Sequence, residues 1–280
     1  MNKDVRRVLD QGADILRKSG VLYPDREAGW LLLSLLGLSR FSDLEYISEL
    51  KKQEIENYFS CVRVRCQRMP LEYIFGRAFF YGLCLTVSPK VLIPRQETEG
   101  LVDKICSYLK KRGSEIKEFR DVCCGSGCLG LAVKKNFPDI RVVLSDICPQ
   151  ALEVAEKNAI DNQLEVEIVE GDLFAPFSSS CDAFVCNPPY LSYQEVVTAE
   201  PEVRCQEPWL ALVAPKNGYE FYYRIAEGLN DFLAPGGVGW LEIGSLQGDR
   251  LKELFISSGC SSVSLDQDLF GRDRFIQLFR

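Results

Sequence analysis

A four-residue segment, Asn187-Pro188-Pro189-Tyr190, carries the most distinctive chemistry in this sequence. The Asn187 side chain offers a carbonyl acceptor, and Pro188 offers a backbone carbonyl without an N–H of its own. Two such acceptors can hold both hydrogens of a planar NH2 group, and Tyr190 can stack on the flat group. Asn-Pro is also a common turn signal, so the segment alone does not decide the function.

A second candidate segment is the loop Asp121-Val-Cys-Cys-Gly-Ser-Gly127, which joins a predicted strand to a predicted helix. Glycine lets the backbone approach a ligand, and the helix N-terminus supplies unpaired N–H donors. Residues 125–130 match G-x-G-x-x-G, so a dinucleotide is one candidate ligand. A tight turn that binds no ligand is the alternative.

Two carboxylates follow the next predicted strands. Asp146 can accept hydrogen bonds from two ribose hydroxyls, which suits an NAD ribose and an adenosyl ribose equally well. Asp172, which precedes Leu173, can contact an adenine amino group, although a turn cap is about equally expected. The strand ends therefore indicate a nucleoside-containing ligand without choosing between the two.

The composition excludes several mechanisms. The chain has 280 residues and no histidine, so it cannot form a Ser-His-Asp or Cys-His nucleophile, a histidine base or an imidazole zinc site. Orienting an amide between two acceptors needs no strong base to act first, because hydrogen bonds from the two N–H groups raise the electron density on nitrogen as it attacks, and the acceptors align it with the leaving group. The missing histidine and the Asn187 segment are thus mutually consistent.

Charge and cysteine content indicate the setting. The net charge is -7, and residues 76–280 carry 21 basic against 29 acidic side chains, which argues weakly against direct nucleic-acid binding. None of the twelve cysteines forms a C-x-x-C pair, so we expect no metal site and mostly buried thiols. The charged start and the short apolar run at 30–38 predict a reduced, cytoplasmic protein without a membrane partner.

The first 75 residues predict a small helical bundle. Apolar residues recur at helical spacing in its first helix, namely Val5, Val8, Leu9, Gly12 and Leu16. A second helix starts near Pro24, and a last one ends before Pro70. We expect its arginines Arg63, Arg65 and Arg68 to form a solvated face, with partner docking as the alternative.

The remaining sequence predicts an α/β domain. Residues 77–87 resemble a short hairpin around Gly82, within a linker at 76–95. Helices and strands then alternate, which predicts a doubly wound, mostly parallel sheet with its site at the carboxyl ends of the strands. The predicted strands are 119–123, 142–145, 166–169, 183–186, 238–243, 261–265 and 274–279, and the helices are 97–111, 129–136, 149–162, 219–233 and 246–258.

Taken together, these segments resemble class I S-adenosylmethionine-dependent methyltransferases and, more closely, the PrmC/HemK family of release factor glutamine methyltransferases. The resemblance covers roughly residues 70–280. Besides the segments above, it rests on Pro70-Leu-Glu-Tyr-Ile-Phe-Gly76, Leu92-Ile-Pro-Arg-Gln-Glu-Thr-Glu99, Glu207-Pro208 with Ala211-Leu212, and Gly236-Gly237 before Leu241-Glu242-Ile243. An adenine N6-methyltransferase shares Asn-Pro-Pro-Tyr, an NAD-dependent oxidoreductase would use the glycine loop, and a binding module would leave both segments unexplained.

The resemblance implies a seven-stranded sheet in residues 96–280, a hairpin linker at 76–95 and a bundle at 1–75 that docks the substrate. It implies methyl transfer from S-adenosylmethionine to N5 of the glutamine in the Gly-Gly-Gln motif of class 1 peptide chain release factors. Asn187 and Pro188 are then catalytic, and they bind substrate together with Pro189 and Tyr190. The implied cofactor-binding residues are Arg95, Thr98, Asp121, Cys123, Cys124, Gly125, Ser126, Gly127, Asp146, Asp172, Leu173 and Asn187.

Two details of the family pattern need structural information. Cys123 stands where the family often has the first loop glycine, and a cysteine there requires a negative φ or a turn that tolerates a side chain. The resemblance also implies that Pro94, Arg95, Glu97 and Thr98 line the cofactor's methionine end or a lid. A surface ion pair at a helix start is the alternative role for Arg95 and Glu97.

Overall fold

The computed structural model describes residues 1–112 and 115–280 and consists of two compact units. One unit comprises Met1–Gly76 together with Glu200–Gln206, and the other comprises Arg77–Ala199 together with Glu207–Arg280. The predicted order of a helical part, a hairpin and an α/β part is confirmed.

The first unit is helical. Its core is built by residues such as Val5, Leu16, Leu32 and Val62, at the helical spacing that the sequence predicts. Gly12 packs closely against Tyr58 in this core. A Cβ at Gly12 would lie only 2.0 Å from the Tyr58 hydroxyl, so a larger residue would clash. The helices are α1 (Lys3–Lys18), α2 (Pro24–Leu35), α3 (Lys52–Cys66) and α4 (Leu71–Phe75), with a 3-10 helix at Phe41–Tyr46; Pro201–Gln206, α9 in chain order, completes the unit.

The arginine prediction is wrong for two of the three residues. Arg65 is buried on α3 and pairs with Glu27 at 2.5 Å and with Glu202 of α9 at 2.8 Å. Arg68 also pairs with Glu202, at 2.7 Å. A buried guanidinium is tolerated when carboxylates surround it, so these arginines bind α9 to the helical unit instead of forming a solvated face.

The second unit begins with the hairpin β1 (Arg77–Phe80) and β2 (Leu83–Thr86), whose Phe80, Leu83 and Leu85 lie in the unit's core. Its further strands are β3 (Glu118–Val122), β4 (Arg141–Asp146), β5 (Glu167–Glu170), β6 (Cys181–Cys186), β7 (Leu233–Glu242), β8 (Ser262–Gln267) and β9 (Asp273–Phe279). Its helices are α5 (Gln96–Arg112), α6 (Cys128–Asn136), α7 (Pro149–Asp161), α8 (Tyr193–Thr198), α10 (Pro215–Gly218), α11 (Glu220–Phe232) and α12 (Gly248–Ser257), with a 3-10 helix at Trp209–Ala211.

Seven strands form one sheet in the order β5-β4-β3-β6-β7-β9-β8. The first five strands of this order run parallel, and β9 pairs antiparallel with both β7 and β8. Residues of α5, α6 and α7 share one core cluster with the sheet, and residues of α11 and α12 share another. This is the predicted doubly wound, mostly parallel α/β fold.

The structure departs from the sequence prediction mainly at boundaries and in short helices. The strand predicted at 238–243 begins at Leu233, so Pro235-Gly236-Gly237 lies within β7, where the pairing with β6 shifts register between Cys181 and Ala183. Such an irregularity accommodates a proline, which has no N–H to donate. The helices α4, α8, α9 and α10 were not predicted, because one or two turns leave little periodicity to detect.

No helix in the ranges 1–112 and 115–280 is long and apolar enough to cross a membrane.

Candidate active site

The site forms where the connections diverge from the middle of the sheet. Val122 and Cys186, the last residues of β3 and β6, are direct partners in the parallel ladder. The glycine loop and the Asn187 segment therefore begin side by side, at the type of switch point where α/β sheets bind ligands. A cavity of about 230 Å³ lies against both segments.

Most of the predicted site residues line this cavity. They are Arg95, Thr98, Cys123, Cys124, Gly125, Ser126, Asp146, Asp172, Leu173, Asn187 and Pro189, together with Pro94. Asp121, Gly127, Pro188, Tyr190 and Glu97 are not among the lining residues. The separate predicted segments therefore meet at one cavity, and a few of their residues do not line it.

The glycine loop owes its shape to left-handed backbone conformations. The φ angles of Cys123, Gly125 and Gly127 are 59°, 54° and 78°. Cys123 therefore does not have a negative φ; it adopts a turn that tolerates its side chain, at a cost on the order of 1 kcal/mol. A Cβ added at Gly125 would meet no other atom within 4 Å, whereas one at Gly127 would lie 3.1 Å from Leu144. Gly127 is thus constrained by packing, and Gly125 faces open space beside the cavity.

Asp146 connects the glycine loop to the end of β4. Its two carboxylate oxygens accept the backbone N–H groups of Gly125 and Cys148, each at 2.9 Å. Burial raises the pKa of this carboxyl group, and the backbone donors oppose that shift. Each oxygen retains capacity for a second hydrogen bond, so the carboxylate can hold the loop and accept hydroxyl groups of a ligand simultaneously.

Asp121 lies behind the glycine loop. One of its oxygens accepts the N–H of Gly130 at 2.7 Å, and the other, Oδ1, is buried without a hydrogen-bond partner among residues 1–112 and 115–280. Burial raises the pKa of Asp121 to about 7, and the charge of Asp146 acts in the same direction. This residue supports the start of α6 from below the cavity wall.

The third carboxylate, Asp172, has a partner that the sequence did not indicate. Arg224 of α11 donates to Asp172 at 2.7 Å, and both side chains line the cavity. Leu173 follows with a φ of 50°. A ligand amino group at Asp172 would therefore share the carboxylate with Arg224.

Two residues of the Asn187 segment line the cavity, and a third, Tyr190, turns its side chain toward buried Glu242. Asn187 and Pro189 line the cavity, while the Tyr190 hydroxyl donates to Glu242 at 3.3 Å. The carbonyl of Tyr190 accepts from the Gln247 side chain at 3.2 Å. Gly218 passes so close that a Cβ there would lie 2.2 Å from that carbonyl oxygen, so the segment's end is firmly packed.

Two buried glutamates hold the segment around Arg95. Arg95 donates to Glu207 at 2.6 Å, and the backbone N–H of Ile93 donates to the other oxygen of Glu207 at 3.3 Å. Thr98 donates to Glu242 at 2.6 Å. The ion pair of Arg95 thus reaches a side chain that is only 1% exposed, instead of lying at the surface as the alternative interpretation expected.

Sequence reasoning missed about half of the lining residues. Ile147 and Cys148 directly follow Asp146, and Pro208 and Ala211 belong to a family segment to which no role was given, so signals for them were present. Phe221 and Arg224 had no signal beyond their helical spacing. The other missed residues are Lys90, Val91, Leu92, Cys128, Leu129, Ala151 and Leu210.

Comparison with known proteins agrees with this geometry. The profile of the PrmC N-terminal domain matches residues 7–76, and that of the methyltransferase small domain matches residues 102–201. Among solved structures, a methyltransferase from Pyrococcus furiosus has a TM-score of 0.51 at 20% identity, covering 71% of this chain and 89% of its own. The T. thermophilus 16S rRNA N2 G1207 methyltransferase, solved with AdoMet and guanosine, has a TM-score of 0.53 at 17% identity, covering 73% of this chain and 49% of its own.

The fold and the matched methyltransferase domain therefore define a class I methyltransferase. The release factor glutamine methyltransferase of Chlamydia trachomatis serovar D is 48% identical over 274 residues, which is 98% of this chain and 93% of that protein. The chain belongs to the release factor glutamine methyltransferase family, as its sequence motifs predict. Membership in this family excludes two of the alternative functions, an NAD-dependent oxidoreductase and a non-enzymatic binding module.

Proposed function

We propose that this enzyme transfers a methyl group from S-adenosylmethionine to N5 of the glutamine in the Gly-Gly-Gln motif of class 1 peptide chain release factors. The observation that carries the proposal is the lining of one cavity by both the glycine loop with Asp146 and the Asn187 segment. A nucleoside-binding wall and an amide-holding wall on one cavity are what methyl transfer to an amide requires.

The residues present fit S-adenosylmethionine. Open space at Gly125 admits a ligand close to the backbone, and Asp146 keeps acceptor capacity for two ribose hydroxyls. Ser126, which lines the cavity, adds a hydroxyl group, so further polar capacity lies beside the loop. When bound, the cofactor supplies a methyl group on a positively charged sulfur.

The chain's own contribution to the reaction is orientation. The Asn187 side-chain oxygen and the Pro188 carbonyl accept hydrogen bonds from the two N–H groups of the glutamine amide. Pro188 has no backbone N–H that could compete for these acceptors. Holding both hydrogens turns the nitrogen toward the methyl group and raises its electron density as it attacks. As the N–C bond forms, the bond between the methyl group and sulfur would break to leave a neutral thioether, and one amide proton would pass to water. No histidine or other strong base is needed in this scheme.

The helical N-terminal unit is proposed to dock the release factor. It exposes the aromatic side chains of Tyr23, Phe41 and the 86%-exposed Tyr46, which offer apolar area to a partner. Tyr46→Ala should raise KM for the release factor several-fold and leave kcat and cofactor affinity unchanged. An unchanged KM would exclude Tyr46 from the docking surface. Because release factors are cytoplasmic, the proposed function also implies a cytoplasmic enzyme.

Labelled methyl transfer tests the proposed function directly. Purified enzyme, S-adenosylmethionine with a labelled methyl group and a class 1 release factor should yield one label per release factor, located by mass spectrometry on the Gly-Gly-Gln glutamine. A release factor with that glutamine replaced by alanine is the matched control. Label that persists in the control, or no label with the intact factor, would overturn the proposal.

A further inference from the structure

Glu242, the last residue of β7, has no role in the scheme above although it belongs to the Leu241-Glu242-Ile243 family segment. The residue is 2% exposed, and its neighbours Leu241 and Ile243 are fully buried. Burying a carboxylate among apolar residues is costly unless hydrogen bonds compensate. The partners of this carboxylate therefore indicate what it does.

Each oxygen of Glu242 accepts a hydrogen bond from a different segment of the site. Oε2 accepts from Thr98, which lines the cavity at the start of α5, at 2.6 Å. Oε1 accepts from Tyr190, the last residue of the Asn187 segment, at 3.3 Å. One carboxylate thus joins the segment that follows Arg95 to the segment that begins with Asn187.

The surroundings keep this carboxylate in place. The backbone carbonyl of Glu242 accepts from Tyr222 at 2.8 Å. Arg274 approaches from β9, with its Nη1 atom 3.4 Å from the Tyr190 hydroxyl and 3.3 Å from the carbonyl of Ile243. Arg274 is paired in turn with Asp268 at 3.6 Å. Tyr190 is therefore held between an acceptor and a donor, which leaves its hydroxyl one orientation.

We propose that Glu242 is a positioning residue for methyl transfer: by holding Tyr190 and Thr98 together, it sets the Asn187–Pro188 acceptors relative to the cofactor. The inference rests on the proposed function. A displacement of about 1 Å in a reacting group can cost on the order of 100-fold in rate, so an anchor of this kind acts on turnover more than on binding.

Glu242→Gln is the primary test, because glutamine has nearly the same volume and can still accept from Thr98. Its amide nitrogen cannot accept from Tyr190, so we expect kcat on the release factor to fall about 10-fold or more, with the S-adenosylmethionine dissociation constant within about 2-fold of wild type. Glu253→Gln, which changes an exposed glutamate of α12, is the matched control and should retain wild-type kcat.

Tyr190→Phe removes only the hydroxyl group, and it keeps the proposal testable if Glu242→Gln does not fold. Its kcat should fall by a similar factor, and the double variant should lose no more than the larger single loss, because both changes break one hydrogen bond. Additive losses, a Glu242→Gln kcat within about 2-fold of wild type, or equal losses in kcat and cofactor affinity would each overturn the proposal.

Hydrogen–deuterium exchange separates this inference from the proposed function. Peptides covering residues 187–192 should exchange faster in Glu242→Gln than in wild type, while peptides from β4 should not change. Unchanged exchange at 187–192 would overturn the positioning role. Faster exchange in an enzyme that transfers no methyl to release factor would refute the proposed function alone.

Discussion

The two walls of the cavity are built by different means. The wall that is proposed to bind the cofactor, called the cofactor wall, depends on the backbone: Cys123, Gly125 and Gly127 take left-handed conformations, and Asp146 fixes the loop by accepting the main-chain N–H of Gly125. The wall that is proposed to hold the amide, called the acceptor wall, depends on side chains, because Asn187 lines the cavity from a segment whose Tyr190 donates to Glu242, far away in sequence. A backbone-built wall is encoded locally, whereas a side-chain-built wall needs partners from elsewhere in the chain.

The comparison predicts that damage to each wall has a separate kinetic signature. Changes on the cofactor side should act on cofactor affinity and on local stability, and changes on the acceptor side should act on turnover. Glu242 accepts from Thr98, which lines the cavity, and from Tyr190, which ends the Asn187 segment, so its variants test whether a shared anchor affects turnover alone.

Asn187→Ala should give the largest effect. Loss of the side-chain acceptor leaves the substrate amide free to rotate, so we expect kcat on release factor to fall about 100-fold or more, with an unchanged dissociation constant for S-adenosylmethionine. Steady-state kinetics and calorimetric titration measure the two quantities. Near wild-type turnover would remove Asn187 from the mechanism, and a large loss of cofactor affinity would show that the two walls are not independent.

Asp121→Asn should reveal how much the buried negative charge of Asp121 lowers the stability of the folded protein. The folded pKa of Asp121 is about 7, above the unfolded value of about 3.9, so the folded state retains a proton between these values. Wild-type stability is therefore lost as pH rises from about 4 to 7, and the neutral asparagine escapes this loss.

Between pH 5 and pH 8, the free energy of unfolding of Asp121→Asn should rise by about 2 to 3 kcal/mol relative to wild type. Urea unfolding at several pH values measures this difference, and Asp139→Asn, which changes an exposed aspartate, is the matched control. A difference that is flat across this range would mean that Asp121 titrates normally in the folded protein.

Asp146→Ala should have the smallest effect of the three. Removing the carboxylate takes acceptors from the ribose hydroxyls and releases the Gly125 N–H, so we expect cofactor affinity to fall about 10-fold, or about 1.4 kcal/mol. Turnover at saturating cofactor should change by less than about 3-fold. The reverse pattern, with lower turnover and unchanged affinity, would contradict the division between the two walls.

Much of the fold follows from local sequence patterns. Many strands of the second unit are short runs that alternate with amphipathic helices, and this alternation predicts the doubly wound sheet without knowledge of any contact. The boundary at β7 could not be predicted, because Pro235-Gly236-Gly237 usually ends an element and is accommodated here by a register shift opposite β6. The first unit shows the same limit, since helical spacing does not reveal that Arg65 is turned inward toward Glu27 and Glu202.

The site divides in a similar way. The glycine loop and Asp146 could be identified because their chemistry lies at the ends of predicted strands, where α/β folds bind ligands. Arg224 could not be connected to Asp172, nor Glu207 to Arg95, because each pair joins segments separated by more than fifty residues. The resemblance marked the Glu207 and Glu242 segments, but it gave no reason why glutamates should be there.

The sequence by itself determined the helical and α/β parts, the absence of histidine chemistry and the two segments that begin side by side at the cavity. These properties depend on residue type and short-range spacing, which the chain carries before it folds. Only the tertiary structure decided that Cys123 adopts a left-handed conformation, that Tyr190 turns inward and that buried Glu242 links Thr98 to Tyr190. These features depend on which distant groups meet in a dry interior, where a carboxylate persists only beside partners that satisfy it.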